Sequence, residues 1–223
     1  MGIAQSRKTL LEPPPDHPEP ELDRETLLKG LGNVARYIEG KHEHITLIAV
    51  GGAVNTILLQ TRASTHDVDF YNQNLSGEDY GLIKKAIKYA RSKDPILEEG
   101  WLNNKTVLFI PQNIRGEITQ SAIDQNQEVF TAPGLTILAA PWPYAFAAKL
   151  DRLSGGGGKA HDLPDAVAYL HQINQTMGYG VVPRSQVLAW ADTYKARYSG
   201  VHLGQVNTEY KRVYGQDGID MGA

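Results

Sequence analysis

The hydrophobic pattern of the chain begins with a helix and a buried strand. Apolar residues recur every three or four positions between Leu27 and Ile38, which predicts an amphipathic helix with Asp23 as its N-cap. Residues 45–50 form a short apolar run rich in β-branched side chains, which predicts a buried strand. A glycine pair ends this strand, and a short helix is predicted directly after it.

The pattern then alternates before it becomes helical. Alternating residues predict a strand over 66–71, and Ser76 can cap the helix that follows. Between Lys105 and Ala140 the residues favour strands, whereas the apolar segments after Pro141 have helical spacing. The predicted strands of this middle section cover residues 106–110, 128–131 and 135–138. The predicted helices after it cover residues 144–153, 164–173, 186–198 and 203–214.

This order of elements predicts an α/β (α+β) fold that ends in a helical part. We expect a tail over 1–20, an α/β domain over 21–140 and a helical C-terminal subdomain over 141–223. Five prolines between residues 13 and 20 disfavour a helix there and favour extended geometry, so the tail is expected to be disordered.

The first residues also fit a lipidation pattern. Gly2 is followed by Ser6 and then by two basic residues, as in N-myristoylated proteins. One acyl chain binds membranes only marginally, and the chain has no cysteine for a second lipid. An unmodified tail is therefore the favoured expectation, and a weak lipid anchor at Gly2 is the alternative.

Composition narrows the class of protein. The 223 residues include 22 Lys and Arg against 25 Asp and Glu, a formal net charge of −3, so there is no overall positive field to hold nucleic acid. The absence of cysteine excludes disulfides, thiolate metal sites and a cysteine nucleophile, and it fits a reducing compartment. No apolar run approaches the roughly 18 residues of a transmembrane helix. We expect a cytoplasmic globular protein.

The residues with the clearest chemical potential surround the glycine pair. Gly51 and Gly52 follow the first strand, and Asp67 and Asp69 lie in the next one. Residues two apart in a strand point to the same face, so the two carboxylates lie side by side. They raise each other's pKa unless a cation lies between them, and hard oxygen ligands suit Mg²⁺ or Mn²⁺ with nucleotide phosphates. The glycines let the backbone approach a phosphate, which the next helix N-terminus can also bind.

Each feature also has a simpler interpretation. The glycines can form a tight strand-to-helix turn, and the aspartates can lie at a solvated edge of the sheet. Either interpretation is favoured for one feature alone. The order of strand, Gly-Gly, helix and Asp-x-Asp strand within about 25 residues favours the site.

This segment resembles the nucleotidyltransferase-fold signature, in which a Gly-Gly or Gly-Ser turn precedes an Asp-x-Asp pair flanked by apolar residues. It is most similar to small bacterial nucleotidyltransferase-like domains related to abortive-infection toxins, and to uncharacterised fungal relatives. These often carry an Arg-x-x-Thr-x-Asp-x-Asp string, which Arg62, Thr65, Asp67 and Asp69 match. The resemblance extends over roughly residues 45 to 172.

The later part of the resemblance is a helix with a lysine, a basic linker and an Asp-Leu-x-Asp helix. Lys149, Arg152 and then Asp162 and Asp165 match it. Lys149 and Arg152 can contact a triphosphate, or they can solvate the surface. Asp162 can simply cap a helix whose first turn contains a proline, and Asp165 is favoured there by the helix dipole.

The resemblance implies a mixed sheet with flanking helices, a divalent metal and a nucleoside triphosphate donor. Asp67 and Asp69 are then the catalytic and metal-binding residues. The residues that it implies around the nucleotide are Gly51, Gly52, Arg62, Thr65 and Lys149. Active members usually carry a third acidic residue on a later strand, where it activates the acceptor hydroxyl. The candidates for that residue are Glu117, Asp124 and Glu128.

Two other patterns fail as sites. The run from Gly155 to Gly158 follows a helix rather than a strand and ends in Lys159-Ala160, so it is a linker and not a P-loop. His42 and His44 lack the further ligands of a metal site, and so does the His161-Asp162 pair.

The leading hypothesis is a metal-dependent nucleotidyltransferase that moves a nucleoside monophosphate from an NTP to an unknown acceptor. The alternative is a catalytically inactive relative that binds nucleotide or a protein partner on the same scaffold. A third and weaker idea is a membrane-tethered adaptor directed by the N-terminal pattern.

Overall fold

The computed structural model of the protein describes residues 19–222. The helices are α1 (Arg24–Glu39), α2 (Gly52–Ile57), α3 (Gly77–Lys93), α4 (Arg115–Gln125), α5 (Trp142–Ser154), α6 (Asp162–Thr176), α7 (Arg184–Thr193) and α8 (Gly200–Tyr214). The strands are β1 (Leu22–Asp23), β2 (Ile45–Val50), β3 (Ser64–Thr65), β4 (Val68–Tyr71), β5 (Leu102–Asn103), β6 (Glu128–Ala132), β7 (Leu135–Ala139), β8 (Val182–Pro183) and β9 (Ile219–Asp220). The predictions for Gly2 and for nearly all of the tail fall outside the described residues. Within those residues, the length and apolarity of every helix fall short of what a membrane span requires.

A five-stranded sheet lies at the centre, with the strand order β5-β4-β2-β7-β6. Strand β2 is antiparallel to β4 and parallel to β7, so the sheet is mixed. Its residues Leu47, Ile48 and Ala49 are fully buried, as expected for a central strand with both faces covered. The mixed sheet with flanking helices confirms the predicted α+β class.

Two helices with strong N-terminal caps cover one part of the sheet. The Asp23 side chain accepts from the Thr26 N–H at the start of α1, as predicted. Ser76 and Asp79 form a reciprocal capping box at the start of α3. The apolar faces of α1 and α3 pack against each other and against Trp101.

The helical part after β7 shares its core with the sheet. Trp142 of α5 stacks on Tyr169 of α6 with ring centroids 6.0 Å apart. Both rings belong to the same hydrophobic cluster as Leu47 of β2 and Leu203 of α8. Helices α5 and α6 are therefore held by the core against the strands that carry the candidate site.

The strand predicted over 106–110 is wrong. Residues Lys105–Phe109 form a 3₁₀ turn, which begins where the Lys105 N–H donates to the Asn103 side chain. Leu108 and Phe109 point to solvent, 70% and 82% exposed, so their apolar character does not reflect burial in a sheet. Arg115 fixes the turn by donating to the carbonyls of Val107 and Ile110.

The prediction that the whole middle section is β-like is also wrong, because it contains α4. Ile114, Ile118 and Ala122 recur every four residues and are buried in a smaller cluster against Tyr71 and Ile48. Two strands of that section, β6 and β7, are confirmed within a residue of their predicted ends.

Two other predicted elements are shorter than expected. The strand predicted over 66–71 begins only at Val68. Ser64 and Thr65 form the separate strand β3, which pairs with β1. Helix α7 ends at Thr193 rather than at 198, and Lys195 follows with a φ of +56°.

Candidate functional site

The two predicted aspartates lie together at one end of β4. Asp67 directly precedes the strand, and Asp69 is its second residue. Val68 and Phe70 are buried in the core, so the aspartates share the opposite, partly exposed face. Across the sheet, Asp69 is paired with Val50 of β2 on one side and with Asn103 of β5 on the other. The carboxylate pair therefore lies next to the residue that precedes the glycine turn.

Burial and mutual repulsion make this pair hold its protons more tightly. Burial raises the pKa of Asp69 to about 6, and the negative charge of Asp67 adds to the rise. Burial also raises the pKa of Asp67, against the hydrogen bond from Asn103. Arg152 and Lys105 oppose the rise at Asp69 without cancelling it. The pair thus carries negative charge that its neighbours do not fully compensate.

Asn103 is a site residue that the sequence analysis missed. Its Nδ2 donates to Asp67 Oδ2 at 3.0 Å and to the Gly100 carbonyl at 3.0 Å, while its Oδ1 accepts from the Lys105 N–H at 2.9 Å. The amide is therefore locked in one orientation. No motif marked it, because the short strand β5 gives no periodic signal.

None of the three candidates for a third acidic residue lies at this position. Glu117 and Asp124 are exposed on α4, where Asp124 accepts from Gln120 at 2.8 Å. Glu128 is exposed on β6, at the edge of the sheet opposite β5. The strand position next to Asp69 holds the amide of Asn103 instead of a carboxylate.

The glycine turn and two predicted binding residues come together, but the glycines have different roles. A Cβ on Gly52 would lie 2.3 Å from Thr65 Oγ1 and 2.5 Å from an Arg62 nitrogen, so Gly52 makes room for those side chains. Gly51 has a φ of +72°, and a Cβ there would meet nothing within 4 Å. The open space for a ligand is thus beside Gly51.

A buried tyrosine fixes this turn from the helical part. The Tyr169 hydroxyl donates to the Gly51 carbonyl at 3.0 Å and accepts from Asn55 Nδ2 at 2.6 Å. Tyr169 is buried on α6, and Asn55 lies within α2. The hydroxyl therefore ties the turn beside the aspartates to the C-terminal helices.

Lys149 lies in a buried ion-pair network. Its Nζ is 2.7 Å from Asp162 Oδ1 and 2.7 Å from Asp165 Oδ2, and its side chain is only 6% exposed. Arg62 Nε lies 3.2 Å from Asp165 Oδ1. The two contacts of Asp165 are ion pairs whose angles fall short of hydrogen-bond geometry. The role of Lys149 as a phosphate ligand stays a prediction. Its ion pairs, together with that of Arg62, link α5, α6 and the segment before β3.

A second group of possible metal ligands lies in the same network. One ligand atom each from His161, Asp162 and Asp165 lies within 4.8 Å of the others. The buried Lys149 and the largely buried Arg62 already balance the two carboxylates. This group therefore offers a metal ion little net negative charge, in contrast to Asp67 and Asp69.

The remaining predicted features fall outside the site or beside it. Residues 155–158 connect α5 to α6 without regular structure, as expected for a linker, and Gly155 packs under the Arg197 guanidinium. His44 Nε2 lies 3.0 Å from Thr136 Oγ1, and both His42 and His44 are exposed.

Comparison with known proteins identifies a family. No curated protein and no solved structure matches the chain. One family, described as a domain of unknown function (DUF7582), matches residues 20–217, which include every strand and helix that forms the site. Because this match covers most of the sequence, the chain belongs to the DUF7582 family.

Proposed function

We propose that the protein is a metal-dependent nucleotidyltransferase that transfers the nucleoside monophosphate of a nucleoside triphosphate to an acceptor. The bond between the α- and β-phosphates breaks as the acceptor bonds to the α-phosphate, and pyrophosphate leaves. The observation that carries the proposal is the position of the Asp67–Asp69 pair, on one face and next to the residue that precedes the open glycine turn. The resemblance of the sequence to nucleotidyltransferase-like domains supports the same assignment.

The residues present fit a divalent metal. Asp67 and Asp69 offer hard oxygen ligands on one face of a strand, which suits Mg²⁺ or Mn²⁺. Burial raises the pKa of both carboxyl groups, and a divalent cation between them would favour the ionised pair. A bound metal would neutralise charge on the phosphates of the nucleotide.

The residues around the turn fit the phosphate chain. A Cβ at Gly51 would meet no atom within 4 Å, so the turn is open there, and the Tyr169 hydroxyl fixes the Gly51 carbonyl. Arg62 keeps one buried nitrogen, Nη2, without a hydrogen-bond partner among residues 19–222. The hydrogen bond from Asn103 fixes the Asp67 carboxylate, so this proposed ligand would already be oriented when a metal ion binds.

The test combines metal binding with transfer. Electron paramagnetic resonance of free Mn²⁺ measures binding, and radiolabelled NTPs with Mn²⁺ or Mg²⁺ measure transfer. We expect Asp67→Asn and Asp69→Asn to lose Mn²⁺ binding, and Asp192→Asn, an exposed carboxylate on α7, to retain it. If both site variants bind Mn²⁺ as the wild type does, the assignment is wrong.

Asn103 favours a second candidate, in which the protein binds nucleotide without transferring it. Active relatives place an acidic residue on a later strand, and here the later strand beside Asp69 carries an amide. Calorimetry would then show metal-dependent nucleotide binding with no product. If this candidate is right, Asn103→Asp is the variant expected to gain nucleotidyl transfer. Transfer by the wild-type protein would exclude this second candidate.

The compartment and the state of Gly2 are tested separately from the activity, and an unmodified Gly2 is still the favoured expectation. We propose cytoplasmic action, because the cytoplasm supplies both Mg²⁺ and nucleoside triphosphates, and the absence of cysteine fits it. Mass spectrometry of the protein made with the myristoyl transferase present tests Gly2. An unmodified Gly2 would exclude the lipid anchor.

A further inference from the structure

Two tyrosines meet where α1 packs against α3. The rings of Tyr37 on α1 and Tyr89 on α3 have centroids 5.4 Å apart and are inclined to each other by 41°. Both side chains are half-buried, so each ring is fixed between the helices and keeps part of its surface in contact with solvent.

A lysine lies over each of these rings. Lys41 Nζ is 5.8 Å from the centroid of Tyr37, and Lys93 Nζ is 5.2 Å from the centroid of Tyr89. At these distances the face of an aromatic ring attracts a cation. Lys85 lies one turn before Tyr89, as Lys93 lies one turn after it, so α3 presents the order Lys, Tyr, Lys along one side. All three lysines are exposed, so the ring faces are reached from the solvent side.

The positive charge of these lysines is not taken up by ion pairs. None of the ion pairs among residues 19–222 involves Lys41, Lys85 or Lys93. Asp94, which follows Lys93, is held instead by Lys29, whose Nζ is 2.7 Å from Asp94 Oδ2. The net charge of −3 does not remove this local excess, because the fields of exposed charges are largely screened beyond about 8 Å at physiological salt.

We propose that these five residues form a surface that binds single-stranded nucleic acid. The members of this tyrosine–lysine surface are Tyr37, Lys41, Lys85, Tyr89 and Lys93. Bases of a single strand stack on aromatic rings whatever their sequence, and lysines beside the rings neutralise the phosphates between the bases. A base that replaces the ammonium group on a ring leaves that lysine to bind the neighbouring phosphate. An acidic peptide would use the lysines alone, and a duplex keeps its bases stacked inside, so neither matches both parts of the surface.

The tyrosine–lysine surface is separate from the aspartate pair. Phe70 of β4 belongs to the same hydrophobic cluster as Leu31 of α1 and Ile83 of α3. Because alternate residues of a strand point to opposite faces, α1 and α3 cover the face of the sheet opposite to Asp69. The inference therefore goes beyond the proposed function and does not depend on a metal ion.

Fluorescence anisotropy of a labelled, unstructured RNA of about ten nucleotides tests the inference on the full-length protein. We expect Tyr89→Leu to weaken binding about tenfold without changing its salt dependence, because the variant loses base stacking but keeps an apolar side chain. Lys93→Gln should weaken binding and reduce the slope of log affinity against log salt by roughly 0.7, the value for one phosphate of a single strand. The matched control is Lys84→Gln, an exposed lysine about 100° round α3 from Lys85, which should bind within twofold of the wild type.

The salt slope separates a binding role from a packing role, because a loosened fold does not lower the slope by the value of one phosphate. Lys85→Gln changes an exposed side chain and gives a second measurement of the slope if Tyr89→Leu fails to fold. The inference is overturned if the wild type does not bind the RNA at about 50 mM salt, or if a duplex of the same length binds as tightly. It is also overturned if a folded Tyr89→Leu binds within twofold of the wild type, or if polyglutamate displaces the RNA equally from Tyr89→Leu and the wild type. Binding should persist in EDTA; its loss there would place the RNA at the aspartate pair and contradict the inference.

Discussion

Replacing Asp69 by asparagine is expected to make the metal-free protein more stable at neutral pH. The change keeps the shape of the side chain and removes its charge. Burial and the charge of Asp67 raise the pKa of Asp69 from 3.8 to about 6. At about 1.4 kcal/mol per pH unit, this rise makes the ionised carboxylate destabilising by up to about 3 kcal/mol above pH 7. Because Asp69 keeps some contact with solvent, we expect a gain of about 2 kcal/mol, or about 4–8 °C in Tm.

The gain in stability from Asp69→Asn is confined to a defined pH range. A carboxyl group with a raised pKa binds its proton more tightly in the folded state, so the wild type loses stability as pH rises from about 4 to about 6. The charged groups that act on Asp69 are Asp67, Arg152 and Lys105, and the two cations keep their charge throughout this range. The advantage of Asp69→Asn should therefore be full above about pH 7 and vanish near pH 4.

Thermal unfolding followed by circular dichroism, with EDTA and then with Mn²⁺, tests this reasoning. Under the proposed function, Mn²⁺ should raise the Tm of the wild type but not that of Asp69→Asn, because a metal that binds only the folded state stabilises it and the variant lacks one of the proposed ligands. Asp192→Asn, which changes a carboxylate that is 87% exposed, should leave the Tm unchanged under all conditions. The reasoning is refuted if Asp69→Asn is less stable than the wild type at about pH 7.5 in EDTA.

Three further substitutions and one control substitution, all measured by urea unfolding, test the packing that supports the site. Lys149→Met leaves two buried carboxylates short of a cation and should lower the free energy of unfolding by about 3 kcal/mol; a loss below about 1 kcal/mol would contradict the buried network. Gly52→Ala should be destabilising by about 1–3 kcal/mol, because the new Cβ would overlap side-chain atoms of Thr65 and Arg62. The control Gly81→Ala, where a Cβ on α3 meets open space, should be stabilising by up to about 1 kcal/mol. Equal effects of the two substitutions would show that Gly52 has room for a side chain. Tyr169→Phe removes the donor to the Gly51 carbonyl and should be destabilising by about 1–2 kcal/mol, and no change in stability would mean that the hydroxyl does not hold the turn.

The pairing of the aspartates could be predicted because it depends on local geometry alone. The two-residue period of a strand places Asp67 and Asp69 on one face, and the apolar residues between and after them fix which face is buried. Helix caps are equally local, and both Asp23 and Ser76 cap their helices as predicted.

The rest of the site depends on contacts between distant segments. Asn103 comes beside Asp69 only because β5 pairs with β4, and a two-residue strand leaves no pattern in the sequence. The space that Gly52 leaves is filled by Arg62 and Thr65, which belong to a later segment. Leu108 and Phe109 give the opposite case: the apolar run over 106–110 predicts a strand, but both side chains are exposed and the segment forms a 3₁₀ turn.

The Asp162–Asp165 pair is buried and the Asp67–Asp69 pair is partly exposed, and the two pairs differ in their counter-ions. Asp162 and Asp165 have the buried Lys149 and the largely buried Arg62 as counter-ions, so the charge of this pair is balanced by the chain itself. Among residues 19–222, Asp67 accepts a hydrogen bond from the Asn103 amide and the exposed cations Arg152 and Lys105 act on Asp69, and the pKa values of both carboxyl groups are still raised. A pair left in this state lowers the stability of the metal-free fold, and a bound divalent cation would remove that cost. The Asp162–Asp165 pair, by contrast, joins α6 to Lys149 of α5 and to Arg62, and α6 carries the Tyr169 hydroxyl that donates to the Gly51 carbonyl, so the contribution of this pair is to position the turn.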